Sequence, residues 1–205
     1  MKISEGIKLK GLPADIPDCS RNDLPQFFID QGYKVGVEVG VYKGEYLEVL
    51  AKSGLKLYGV DPWREYGDFT HSRGQKRLDE QFEHTQRLVE KYPNCSLIRK
   101  TSMEAVEDFE DNSLDFVYID ANHGLRYIVE DLWEWSKKVR SGGVISGHDY
   151  ALTKDAKDRY SYHVKYGVDA FVRARGIENF WVLGSRFDVP GEVRDTCRSF
   201  MWIKK

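Results

Sequence analysis

The chain has 205 residues, 41% apolar and 13% aromatic, with 31 Lys plus Arg against 33 Asp plus Glu. That length suits one compact domain, and the apolar share can bury enough surface to offset the ordering entropy that keeps polar chains disordered. A formal charge of −2 argues against a dedicated nucleic-acid binder, which draws its affinity from a basic surplus.

No apolar run approaches the ~20 residues of a membrane span, and the opening MKISEGIKLKG lacks the apolar stretch of a secretion signal. Cys19, Cys95 and Cys197 are far apart and form no C-x-x-C. They read as reduced thiols of a cytoplasmic protein, neither a disulfide framework nor a zinc site. Residues 1–205 read as a single unit, with 1–32 as an N-terminal helical cover and 33–205 as the core. The cover holds one predicted helix, Asp23–Asp30.

From about residue 33, short apolar runs alternate with amphipathic stretches. The predicted strands are Lys34–Val39, Lys56–Val60, Cys95–Lys100, Leu114–Ile119 and Val144–Ser146, rich in Val, Ile and Leu without clean alternation, as parallel strands buried on both faces read. Glu45–Ser53 reads as a helix stopped at Gly54. Leu78, Phe82, Thr85, Val89 and Tyr92 share one face of a second helix, which Pro93 ends. Thr101-Ser-Met-Glu104 has the form of a capping box opening a third. Ile128, Leu132, Trp135 and Val139 line a fourth, closed by Gly142-Gly143. The alternation implies right-handed crossovers in an open, doubly wound α/β sheet. Phe180–Leu183 and Phe200–Lys204 are expected to pair as an antiparallel hairpin at its edge. Long connections at 63–76 and 150–166 follow strand carboxyl ends, where such folds build their sites.

The first chemical signal is Glu38-Val-Gly40-Val-Tyr42-Lys-Gly44 at the end of the first core strand. Gly40 lets the main chain approach a ligand, and Gly44 lets the next helix pack closely. The spacing is not G-x-G-x-x-G, so the dinucleotide fingerprint is absent. A carboxylate at Glu38 repels a pyrophosphate and suits an ammonium or sulfonium. Asp61, in Tyr58-Gly-Val-Asp61-Pro62-Trp63, ends the next strand, where an acid accepts hydrogen bonds from ribose hydroxyls. Together these describe a phosphate-free nucleoside with a cationic end, such as S-adenosylmethionine.

The second signal is Asp120 and His123 after the fourth core strand, with His148 and Asp149 after the fifth. His123, with an ordinary pKa of about 6.5, suits a general base. Asp120, His148 and Asp149 offer two carboxylates and an imidazole, an acceptable set for Mg²⁺, Mn²⁺ or another divalent ion. Blander readings stand beside these: Asp120 contacting the cofactor or capping a helix, His123 bonding backbone in a first helical turn, and His148-Asp149 as a structural pair. Trp63 either packs in the core, stacks on adenine or lines the acceptor pocket. His71 and His84 read as solvated, and Arg64, Arg73, Lys76 and Arg77 as an exposed basic loop. Tyr160, Tyr162, His163 and Tyr166 either clamp an acceptor or fold their loop down. Trp133 and Trp135 read as packing residues.

These motifs resemble those of class I S-adenosylmethionine-dependent methyltransferases, most closely a group of small bacterial members with I-D-x-x-H and G-G-x-I-x-G-H-D. The resemblance covers roughly residues 33–176. It implies a Rossmann-like seven-stranded sheet ending in the hairpin above, Glu38 and Gly40 beside the methionine moiety, Asp61 on the ribose and the Thr101–Glu104 turn beside the adenine. The expected cofactor set is therefore Glu38, Gly40, Tyr42, Gly44, Asp61, Pro62, Trp63, Ser102, Met103 and Asp120. Tyr42 stands where the commonest E/D-x-G-x-G-x-G form has its middle glycine. Metal-dependent O-methyltransferases of the catechol and macrolide-sugar types place ligands at positions matching Asp120, His148 and Asp149, and a base matching His123. His148 departs from the carboxylate of those relatives, and imidazole is a poorer ligand for Mg²⁺. The resulting expectation is a methyltransferase acting on a small-molecule acceptor, at oxygen in preference to nitrogen, with no nucleic-acid or membrane partner and with homo-oligomerisation left open. Its rivals are a nicotinamide-dependent oxidoreductase on a similar sheet and a non-catalytic S-adenosylmethionine-binding module.

Overall fold

A computed structural model describes residues 1–65, 74–152 and 162–205. The expected loop residues His71, Arg73 and Tyr160 lie outside the described residues.

Eight strands form one sheet: β1 (Ala14–Ile16), β2 (Val35–Val39), β3 (Lys56–Val60), β4 (Cys95–Ile98), β5 (Leu114–Ile119), β6 (Val139–Gly147), β7 (Trp181–Leu183) and β8 (Ser199–Ile203). Their order is β1-β7-β8-β6-β5-β2-β3-β4, with β8 antiparallel to both of its neighbours and every other pairing parallel. Successive strands step outward from β2 to β4 in one direction, and β5 returns to the other side of β2. The boundary between β2 and β5 is the switch point at which an open α/β sheet leaves a crevice.

Side chains alternate across the strands and divide the core in two. Val37, Val39, Val117 and Ile119 face α6 (Leu125–Lys138) and α7 (Val164–Ala174), packing against Leu132, Trp135 and Val168. Phe116, Tyr118 and Val144 face the other way, against α2 (Leu24–Asp30) and α3 (Glu45–Ala51) through Phe28, Tyr46 and Leu50. Glu38 lies between Val37 and Val39, so the same alternation turns it to the α2–α3 side. A smaller cluster of Val41, Leu47 and Trp63 packs under Phe82 of α4 (Gln75–Val89).

Three expectations change. The N-terminal segment contains the expected helix α2 and a single turn, α1 (Ile3–Gly6), but it also adds β1, so the sheet has eight strands and β7 is not its edge. Three residues between Pro13 and Pro17 are too few to show a period, although Ile16 is fully buried. The fifth core strand begins at Val139, not Val144, directly from α6. Gly142-Gly143 therefore does not close the helix. It forms an irregularity in the β5–β6 ladder, with φ of 75° at Gly142 and with a Cβ on Gly143 only 2.4 Å from the Asp115 carbonyl oxygen. Trp135 is buried as expected, whereas Trp133 is 47% exposed on the outer face of α6, with its edge toward Phe171. All three cysteines are free. No helix among the described residues is long and apolar enough to cross a membrane.

Candidate functional site

Main-chain hydrogen bonds bring the tips of four strands level. Gly40 N–H donates to the Val60 carbonyl (2.8 Å), Asp120 N–H to that of Val39 (2.7 Å) and His148 N–H to that of Ile119 (3.0 Å). Above the tips of β2, β3 and β5 lies a cavity of about 920 Å³. All ten expected cofactor residues except Gly44 line it, together with His123. Gly44 opens α3 behind it, where a Cβ would stand 3.0 Å from the Thr85 methyl of α4. His148 and Asp149 stand behind Asp120 and are not part of the wall.

The turn after β2 is fixed by main chain. Gly40 has φ of 94°, and a Cβ there would fall 2.1 Å from the Asp120 carbonyl oxygen. No side chain can stand at that point. Tyr42, in place of the expected glycine, adopts a glycine-like φ of 55°, a conformation that costs a tyrosine of order 1–3 kcal/mol and persists only where its surroundings offset it. Here they do. Its N–H donates to Asp61 Oδ2 (2.9 Å), and its carbonyl accepts from Trp63 Nε1 (2.8 Å). Asp61 also accepts from Val41 N–H (3.1 Å) and Trp63 N–H (2.8 Å). Its carboxylate therefore ties the β2 and β3 turns together, while burial raises its pKa against those three donors. Trp63 belongs to the core and the cavity wall at once, since it is buried against Phe82 with ring centroids 4.9 Å apart.

Glu38 is 2% exposed, and its Oε2 has no hydrogen-bond partner among the described residues. Burial, then the neighbouring Asp120 charge, pushes its pKa well above the usual carboxylate range, against the pull of Arg21. A buried charged group without a partner is costly.

At the far end, Thr101 caps the single turn α5 (Ser102–Ala105): Thr101 N–H donates to Glu104 Oε2 (2.9 Å) and Glu104 N–H to Thr101 Oγ1 (3.4 Å). Ser102 Oγ accepts from Trp135 Nε1 (2.8 Å) and donates to Asp131 Oδ1. Asp131 is buried, and burial raises its pKa to about 7.

The second cluster is held by side chains. His123 Nε2 lies 3.0 Å from Asp149 Oδ2 and 3.6 Å from Asp120 Oδ1, but it is buried and aligned for a hydrogen bond with neither. One ligand atom from each of these three residues falls within 4.8 Å of the others, so the donor set fits a divalent ion. His148 spans the back of the cluster. Its Nδ1 is 3.5 Å from Asp149 Oδ2 and 3.8 Å from Asp120 Oδ2, and its Nε2 is 3.7 Å from Asp195 Oδ2. The geometry thus offers two imidazoles to the carboxylate pair where the sequence suggested one ligand and one base. Burial lowers both imidazole pKa values, but the carboxylates outweigh it, Asp120 and Asp149 at His123, Asp149 and Asp195 at His148, and each is raised to about 9. Asp149, with φ of 57°, is held well below the usual carboxylate range by the two imidazoles despite its burial.

Tyr162 sets its ring edge-on to His123 with centroids 4.5 Å apart, and His163 N–H donates to the His123 carbonyl (2.9 Å). His163 Nδ1 accepts from Leu125 N–H (3.2 Å) at the start of α6. Tyr166 is exposed on α7, and His84, Lys76 and Arg77 are exposed on α4. Arg64 pairs with Glu104 at the rim (3.0 Å).

Three polar residues of the site escape sequence reasoning. Arg21 comes from the segment read as a cover. Asp195 lies in the loop between β7 and β8, where charge is unremarkable. Asp131 left a usable signal: it stands one turn from Ile128 and Trp135 on the apolar face of α6, where a carboxylate needs a partner.

Residues 37–150 match the model of a family described as a methyltransferase domain. An uncharacterized protein, y4gI, of Sinorhizobium fredii is 28% identical over 121 residues, 55% of this chain and 13% of that protein, so the chain spans a small part of that relative's length. Among solved structures, an O-methyltransferase from Bacillus cereus in complex with SAH superposes with a TM-score of 0.60 at 16% identity, covering 90% of this chain and 80% of that one. The O-methyltransferase TomG of Streptomyces achromogenes, in complex with SAM, gives 0.60 at 13% identity, with coverage of 90% and 79%. A putative caffeoyl-CoA O-methyltransferase from Staphylococcus aureus gives 0.59 at 12%, with coverage of 90% and 82%. At such identities the likeness speaks for the fold, whereas the family match takes in more than half of the residues: the chain belongs to this methyltransferase-domain family.

Proposed function

We propose that the protein transfers the methyl group of S-adenosylmethionine to a hydroxyl of a small molecule. The observation that carries the reading is the buried Glu38 carboxylate, with an unpartnered oxygen, beside the Gly40 turn. Such a group calls for a cationic ligand, and Gly40, where a Cβ would strike the Asp120 carbonyl, lets the tips of β2 and β5 close together at the cavity wall. The SAM and SAH complexes of similarly folded O-methyltransferases support the same reading. S-adenosylmethionine supplies a methyl group already activated on its sulfonium, so the protein's work is to bind, align and deprotonate. Glu38 faces the cationic end. Asp61, anchored by three main-chain donors, keeps one lone pair, on Oδ1, for a ribose hydroxyl. Ser102 and Met103 border the adenine.

At the acceptor side, the neutral form of His123, a minority below its pKa of about 9, takes the hydroxyl proton, and Asp149 steadies the resulting imidazolium, so turnover should rise with pH toward 9. Asp120, Asp149 and one of the two imidazoles would hold a divalent ion, which would supply Lewis acidity toward the acceptor oxygen. A second reading, favoured by the compact Asp120–His123–Asp149 arrangement, makes His123 itself a ligand.

Thermal shift with SAH against NAD tests the cofactor. Stabilisation by SAH alone is expected, and stabilisation by NAD alone would overturn the assignment. Binding without transfer to any acceptor in a broad screen would instead leave a binding module. His123→Ala is expected to lower kcat by about 10²–10⁴-fold on an identified acceptor. Retained Mn²⁺ affinity in that variant identifies a base and lost affinity a ligand, while unchanged turnover would remove both roles.

A further inference from the structure

We propose that Arg21, contributed by the N-terminal segment, binds the α-carboxylate of the cofactor's amino-acid end beside Glu38, which takes the α-ammonium. The inference deepens the S-adenosylmethionine reading and rests on it.

Arg21 opens a 3₁₀ turn, Arg21–Asp23, that is closely fixed. Ser20 N–H donates to Asp23 Oδ2 (2.8 Å), Asn22 N–H donates to Ser20 Oγ (3.2 Å), and Leu24, Phe27 and Phe28 bury the helix that follows. Tyr46 of α3 holds the residue at two points. Its hydroxyl donates to the Arg21 carbonyl (2.8 Å), and its ring lies 4.8 Å beneath the guanidinium. The guanidinium is thereby placed in the cavity wall with Glu38, Gly40 and Asp120.

Its charge is poorly spent there. The ion pair it makes, to Asp120 Oδ2, spans 3.4 Å through one nitrogen, whereas well-formed guanidinium–carboxylate pairs close to about 2.7–2.9 Å and are often two-pronged. Its other charged or polar neighbours are Tyr118, Tyr46 and the buried Glu38. Among the described residues, the other Lys and Arg of the wall are engaged at the rim, Arg64 with Glu104, Arg126 with Glu130 and Lys43 over the Tyr42 ring, while His123 faces Asp149 and Asp120.

An α-amino acid presents an ammonium and a carboxylate on one carbon. Its recognition needs an acceptor and a planar donor side by side, and the guanidinium fork matches a carboxylate better than any other side chain. Glu38 and Arg21 form that couple at the tip of β2. A lone arginine would suit an acidic acceptor equally well, but its place beside a buried carboxylate with an oxygen that lacks a hydrogen-bond partner among the described residues suits a zwitterion.

Calorimetry of the full chain tests this with two ligands, S-adenosylhomocysteine and its decarboxylated counterpart, which keeps the amine, sulfur and adenosine. The wild type is expected to bind the first at least about tenfold more tightly. Arg21→Ala should weaken S-adenosylhomocysteine by at least about tenfold and leave the decarboxylated compound within about twofold, with Arg21→Lys in between. Equal affinity of the wild type for the two ligands would overturn the proposal whether or not the variants fold, as would a parallel loss of both in folded Arg21→Ala. If the wild type binds neither ligand, the cofactor reading itself falls, and the proposal with it.

Discussion

The turn after β2 and the cluster after β5 and β6 stand at neighbouring strand tips, yet they are held by different kinds of bond. Around Gly40, Tyr42 and Asp61 every contact has main chain on at least one side: main chain to main chain, main chain to one carboxylate, and the Tyr42 carbonyl to the Trp63 indole and the Thr85 hydroxyl. Around Asp120, His123, His148 and Asp149 they run from side chain to side chain, over 3.0–3.8 Å. The first arrangement admits one geometry. The second leaves two imidazoles and two carboxylates able to exchange partners, which suits a region that must meet an acceptor and move a proton.

The largest effect should follow from breaking the first region. Gly40→Val puts a branched side chain at φ of 94°, where even a Cβ lies 2.1 Å from the Asp120 carbonyl oxygen. Strain and clash together should cost about 3 kcal/mol or more. Because that carbonyl belongs to the second region, the Asp120–His123 geometry should be disturbed as well. Urea unfolding and S-adenosylhomocysteine titration would measure this; a folded variant with wild-type affinity would show that the turn is not the rigid frame described.

That contrast also explains what could be read from the sequence. β3 and β5 follow from their apolar runs at the stated residues, because strands buried on both faces write their own pattern. Glu38, Gly40 and Asp61 are legible because a local turn imposes residue types at fixed places. Gly142-Gly143 is readable as a break but not as a bulge, since one dipeptide serves both uses. β1 was hidden because its partner, β7, lies far along the chain and three residues carry no period. Arg21 and Asp195 reach the site by tertiary packing alone, and neither has a neighbour in sequence that shares its role. The division of labour between His123 and His148 was illegible for another reason: two residues of one type converge on one carboxylate pair, and sequence order does not decide which nitrogen faces which oxygen.

Asp131, on α6 at the far end of the cavity, belongs to neither region and is held by the Ser102 side chain. Its folded pKa of about 7 exceeds the unfolded value of about 3.9, so the folded chain binds the proton more tightly. Stability from this group is then full below pH ~4, falls as pH rises between ~4 and ~7, and stays reduced above. The total is of order a few kcal/mol. Asp131→Asn keeps an acceptor for Ser102 and should abolish that slope. The check is the wild-type-minus-variant unfolding free energy across pH 4–8; a flat difference would mean that Asp131 is solvated or paired in solution.

The smallest expected change carries the most information about the ligand. Glu38→Gln preserves shape and removes a charge that burial and Asp120 disfavour, so the empty protein should melt at a higher temperature. The same substitution removes the attraction for a cationic ligand, and affinity for S-adenosylhomocysteine should fall about tenfold, equivalent to about 1.4 kcal/mol. The two effects have opposite signs, which separates a binding carboxylate from a structural one: a group that merely supported the turn would lose stability and affinity together. A more stable variant that binds as tightly as wild type would mean that Glu38 stays protonated in the complex, and the cation would then have to be met by Asp120 alone.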